Sequence, residues 1–136
     1  MKKESLFYIF TFFTFFSFSQ DPVNLNWVNT GSNMTIAILD APEDIISIGD
    51  TIAVFYNDGK QNKCGGFVIW DDNRVALSVW GNDSTTEEKD GFSFQEEIIF
   101  CHIKNGYLIN VLNAKFMVGN NLWSNNGIAV VERLYK

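Results

Sequence analysis

The feature that most constrains this chain is the spacing of its turn residues. Beyond residue 25, short runs rich in β-branched and aromatic side chains alternate with Gly, Asn and Asp, and no stretch sustains an apolar period of 3.6. The runs fall at 26–30, 34–39, 51–56, 67–70, 74–80, 92–94, 97–103, 107–112 and 128–134. Punctuation this frequent leaves no room for long helices. The pattern predicts an all-β domain, an antiparallel β-sandwich of about seven to nine short strands.

The local signals agree with that class. In 74–80, Val75, Leu77 and Val79 alternate with Arg74, Ala76, Ser78 and Trp80, the period-two pattern of a half-buried strand. Lys104-Asn105-Gly106 reads as a hairpin turn, because Asn-Gly accepts the positive φ values of type I′ at little cost. Asp72-Asn73 reads as a second such turn, and Asn57-Asp58-Gly59 opens a longer loop towards Gly65-Gly66. Residues 41–48 allow one helical turn, which Gly49 ends.

The first twenty residues obey a different grammar and hold seven of the thirteen phenylalanines. Lys2 and Lys3 precede an apolar stretch from Leu6 to Phe18, and Ser17 and Ser19 stand at the −3 and −1 positions of a cleavage site before Gln20. This is the layout of a secretory signal peptide. The stretch would span only about 20 Å as a helix, against roughly 30 Å of bilayer hydrocarbon. The reading is therefore a leader at 1–19 and a single domain at 20–136, secreted, periplasmic or on the cell surface, with no membrane-spanning segment after cleavage.

Charge narrows the partners. The net charge is −6, and −7 once Lys2, Lys3 and Glu4 are set aside, which opposes binding to nucleic-acid phosphates. Nor does the chain display a catalytic set. Its one histidine, His102, lies in the apolar run IIFCHI and reads as a satisfied strand residue. Glu96 and Glu97 are adjacent, so an extended backbone points them to opposite faces. The expectation is a protein that is not an enzyme.

Residues 81–90, GNDSTTEEKD, contain no apolar side chain and read as a surface loop bounded by Trp80 and Phe92. Asp83, Glu87 and Asp90 supply its charge, and Asp83 and Asp90 are the oxygen donors a calcium ion could use. The spacing does not match an EF-hand, since the sixth position from Asp83 is Glu88, not glycine. No other cofactor is indicated. Cys64 and Cys101 are an even pair that an oxidising compartment could bridge or leave as thiols. Among the tryptophans, Trp123 lies in the polar stretch 119–127 and is expected to be the most exposed, with Trp80 next.

The order Asn26-Trp27, Thr30-Gly31-Ser32-Asn33, Gly49-Asp50-Thr51, Cys64-Gly65-Gly66, Trp80-Gly81-Asn82-Asp83 and Asp90-Gly91-Phe92 resembles an extracellular β-module. Such modules recur in secreted and cell-surface proteins of Bacteroidetes-type bacteria. The resemblance implies adhesion or binding in place of catalysis.

The functional expectation is an exported, non-catalytic binding module for a protein or glycan partner outside the cytoplasm. Its surface is read as Trp80, Asp83, Glu87, Asp90, Phe92 and Trp123, with charges steering the encounter and aromatics supplying affinity. Two alternatives stand beside it: a structural subunit of an envelope complex or filament, and a calcium-stabilised β-module.

Overall fold

A computed structural model describes residues 21–136, so the leader expected at 1–19 lies outside the described residues. Those residues contain no helix and are all-β. The seven strands are β1 (Asn33–Ile38), β2 (Thr51–Asn57), β3 (Asn62–Ile69), β4 (Val75–Trp80), β5 (Ile99–Lys104), β6 (Tyr107–Val118) and β7 (Ile128–Tyr135).

They join in one sheet, ordered β3-β2-β5-β6-β7-β1-β4. The long β6 carries the sheet around a corner: residues 107–112 pair with β5, and 113–118 pair with β7. Register slips on either side of Phe116 mark bulges, which bend a strand and increase its twist. The sheet curls until its edge strands, β3 and β4, meet. At that seam Gly66 lies so close to the Ser78 carbonyl that any Cβ would overlap it. Gly65 is the unpaired extra residue where β3 slips against Val54 and Phe55 of β2. Two layers face each other across a common core, but they are continuous through β6, giving a single sheet nearly closed into a barrel.

The sheet is also mixed. β1 and β7 run parallel, with Thr35 opposite Ile128, so the expected purely antiparallel pairing is corrected. These strands lie at opposite ends of the chain, and their direction follows from where the curled sheet brings them together. Inward side chains build one core. Ile52, Val54, Phe100 and Leu112 come from one layer, and Met34, Ile36, Ile38, Val79, Val131 and Leu134 from the other. A smaller cluster lies on the outer face, where Val23 and Leu25 cover Ala53, Cys64 and Ile103.

Asn105 and Gly106 take φ values of 53° and 83° and turn the β5–β6 hairpin as their sequence requires. The β2–β3 hairpin is tighter than expected. Asn57 pairs with Asn62, and Asp58 Oδ1 accepts the Lys60 and Gln61 N–H groups at 2.8 Å each. Gly65-Gly66 therefore falls inside β3, not at the end of a loop. Asp72-Asn73 does not form a hairpin; it joins the two sheet edges. Runs 26–30 and 92–94 form no strand, and Phe92 makes only an isolated bridge with Gly81. At 41–48 the Pro42 carbonyl accepts Ile45 and Ile46 N–H, a single turn ended by Gly49 at φ 94°.

Candidate functional site

The loop that follows β4 is built on its own polar groups. Gly81 N–H donates to the Ser32 carbonyl at 2.8 Å, and Asn82 N–H to the Phe92 carbonyl at 2.8 Å, which clamps the base. Within the loop, Asp90 Oδ1 accepts Asp83 N–H at 2.8 Å, and Asp83 Oδ1 accepts the Thr85 hydroxyl and N–H at 2.7 and 2.9 Å. The Thr85 hydroxyl and N–H hold the Asp83 carboxyl below its ordinary value. The two calcium candidates, Asp83 and Asp90, thus turn their oxygens to the loop's own donors. Among the described residues no three His, Cys, Asp or Glu side chains converge on a metal position. Glu87 is exposed on the loop.

The base of the loop departs most from expectation. Trp123, expected at the surface, is 5% exposed, and Phe92 is 1% exposed. The Trp123 Nε1–H donates to the Val79 carbonyl at 2.9 Å, and its ring lies where a Cβ on Gly81 would stand. Phe92 packs against Tyr56, with ring centroids 5.6 Å apart. Both side chains therefore support the loop from below, with nearly all of their surface covered. A polar neighbourhood in sequence concealed Trp123; the readable clue was Gly81, a residue small enough to admit a large ring.

Of the four tryptophans the exposed one is Trp27, in the run 26–30 that forms no strand. Trp27 is 43% exposed and lies flat on half-buried Trp80, with centroids 5.5 Å apart and planes 4° from parallel. Beside it runs a groove of about 310 Å³ between residues 24–28, the β2–β3 hairpin and the end of the acidic loop. Trp27 and Tyr56 wall it, with Asn26, Gln61, Asn62 and Glu88 along its length. Asp90 lines it too, so the structure brings Asp90 to this groove but not Phe92 or Trp123.

The cations at the groove are already neutralised. Lys89 Nζ lies 2.5 Å from Glu96 Oε1, donates to the Asn57 carbonyl at 2.7 Å, and sits 5.6 Å from the Tyr56 ring centre. Lys63 pairs with Asp58 at 3.1 Å. Burial and the nearby Asp90 and Asp58 carboxylates push the Tyr56 hydroxyl up to about 12, so it stays protonated. Asn62 Oδ1 accepts from the Asn57 amide at 3.1 Å, and the Asn62 side chain is exposed. The side-chain amides of Asn26 and Gln61 have no partner among the described residues.

A second polar cluster lies inside the barrel. Asp50 is 6% exposed and His102 is 1% exposed, with His102 Nε2 at 2.8 Å from Asp50 Oδ2. Asn110 Nδ2 is 3.2 Å from His102 Nδ1. An amide N–H donates there, so Nδ1 accepts and the ring proton sits on Nε2, directed at the carboxylate. Ser47 N–H donates to Asp50 Oδ2 at 2.9 Å, and Lys104 Nζ lies 3.4 Å from Oδ1. Every nitrogen and oxygen of this pair is engaged. The ring is sealed from solvent.

Both thiols are free and buried. They occupy β3 and β5, which β2 separates. The bridge considered from sequence is not made in this structure. Burial, with Cys64 nearby, raises the Cys101 thiol to about 11.

These carboxylates give the fold a pH dependence. Burial alone would raise Asp50 and Glu96. Ser47 N–H, His102 and Lys104 outweigh it at Asp50, and Lys89 with the Ser93 and Asn57 N–H groups outweighs it at Glu96. The Gln61 and Lys60 N–H groups and Lys63 bring Asp58 to about 2. Each folded value lies below the unfolded one, so the unfolded chain binds more protons and stability falls as acid is added. The contribution is complete above roughly pH 4–5 and is lost towards about pH 2. Urea midpoints measured from pH 7 to 2 should decline mainly below pH 4. A flat profile there would show that these contacts contribute nothing.

Comparison of the chain with protein-family models, curated proteins and solved structures finds no match in any of the three.

Proposed function

We propose that this chain is an exported, non-catalytic binding module that recognises a protein or glycan partner outside the cytoplasm. The observation that carries this reading is the groove beside Trp27. It combines an exposed indole on a fixed stack with amides that have no partner among the described residues, Trp27 and Asn26 on the segment before β1 and Gln61 on the β2–β3 hairpin. Ligand sites have this composition: apolar surface for affinity, with a few placed polar groups for orientation. The leader at 1–19 supports export, and the likeness to extracellular β-modules supports a binding role. The two-layer arrangement is read as that of a sandwich-derived module whose layers share β6.

The assigned surface shifts accordingly. Trp80, Asp90 and the exposed loop carboxylates remain part of it, while Trp27, Asn26, Gln61 and Asn62 replace Phe92 and Trp123. Two measurements test the proposal. Fractionation of cells expressing the tagged full chain should place it outside the cytoplasm with a new N-terminus at Gln20. A photoreactive side chain at position 61 should label a partner in the native envelope, whereas one at exposed Ile128, on the far strand β7, should not. A cytoplasmic chain with residues 1–19 intact would end the export reading. Equal labelling from both positions would end the site assignment.

A further inference from the structure

The chemistry of the groove selects among partners. A protein partner would need roughly 800 Å² of surface with an apolar centre. The groove is instead small, about 310 Å³, near the lower end of the range for small-molecule sites, and its length is lined with amides. An anionic ligand would meet Glu88 and Asp90 at the rim on a chain of net charge −6. A cationic one would find Glu96 and Asp58 bound to Lys89 and Lys63, and both Asp90 oxygens held by the Asp83 N–H and the Thr86 hydroxyl, with Glu88 as the remaining carboxylate at the exposed rim. Apart from Glu88 at the rim, what remains open is one aromatic plane and neutral hydrogen-bonding groups.

We infer that the groove binds a neutral sugar, one ring of an oligosaccharide lying on Trp27 with its hydroxyls held by Asn26, Gln61 and Asn62. This rests on the binding-module reading and names its ligand class. A pyranose has an apolar face of C–H groups and a rim of hydroxyls that both donate and accept. The indole meets the first and the amides meet the second. Trp80 covers one face of Trp27 and does not line the groove, so the opposite face is the one offered to a ligand. The parallel stack also holds the indole still, so little side-chain freedom is lost on binding. The unoccupied amides suit hydroxyls because each presents both a donor and an acceptor.

The test is a printed array of neutral and acidic oligosaccharides probed with the purified chain. Positives are then titrated in solution by tryptophan fluorescence. At least one neutral oligosaccharide should bind saturably, and Trp27→Ala should weaken it about tenfold, the upper range for an aromatic contact. Trp27→Phe should restore part of that loss. Because Trp27 is exposed, both variants should melt near the parent, which separates lost binding from lost folding. Binding of acidic probes alone, or neutral binding unchanged by Trp27→Ala, would overturn the assignment. A silent array with a protein labelled from position 61 would reject the sugar and keep the binding module. A silent array with no labelled partner would reject both.

Discussion

Replacing His102 with alanine is expected to lower the unfolding free energy by about 3–5 kcal/mol, the cost of leaving a buried carboxylate without its closest side-chain donor together with the cavity the ring leaves. The change empties a space between β2, β5 and β6. It takes the 2.8 Å donor from Asp50 Oδ2 and leaves the Asn110 amide without its acceptor. Ser47 N–H and half-exposed Lys104 remain on the carboxylate, but neither replaces the ring. Asp50→Asn keeps the shape and most hydrogen bonds, so it should cost less, about 1–3 kcal/mol. Lys104→Ala should cost no more than about 1 kcal/mol, because its ammonium is solvated. In thermal melts the His102 variant should therefore fall by more than about 10 °C, well ahead of the other two. A His102→Ala protein that melts within a few degrees of the parent would show that the pair does not hold the turn at 42–50 onto the barrel.

Trp123→Ala carries the second large effect, about 3–5 kcal/mol, the range for deleting a buried aromatic ring. Its consequence should be local as well as global. The indole donates to the Val79 carbonyl across 44 positions of sequence and fills the space under Gly81. Without it the clamp formed by Gly81, Asn82 and Phe92 loses its floor. Amide hydrogen exchange at 81–92 should accelerate more than in the core strands. Trp123→Phe keeps most of the volume but leaves the Val79 carbonyl without its donor, costing about 1–3 kcal/mol. If Trp123→Ala left melting and exchange unchanged while removing a ligand, Trp123 would have to be a contact residue and not a strut.

The two variants also mark where local sequence stops being informative. Trp123 stands among asparagines and serines, and polarity nearby ordinarily signals a surface. Here those neighbours are exposed or part-buried while the indole alone is fully covered, because Gly81 leaves a ring-sized recess below the loop. Trp27 is the converse. Its run was β-rich enough to suggest a strand, yet residues 26–30 find no edge to pair with, and the indole settles on Trp80. The groove draws on segments more than sixty positions apart, so none of its parts looks like a site alone.

Legible in the chain alone were the properties set within a few residues: the all-β class, the period-two burial of β4, the Asn105-Gly106 turn, and the surface placement of the acidic loop. Each follows from backbone sterics or short-range hydrogen bonds, which act whatever the rest of the chain does. The tertiary structure alone decided the parallel pairing of β1 with β7, the corner in β6, the meeting of Asp50 with His102, and which tryptophan faces solvent. These depend on how far the sheet curls before its edges touch at Gly66, and that curvature is a sum over all seven strands.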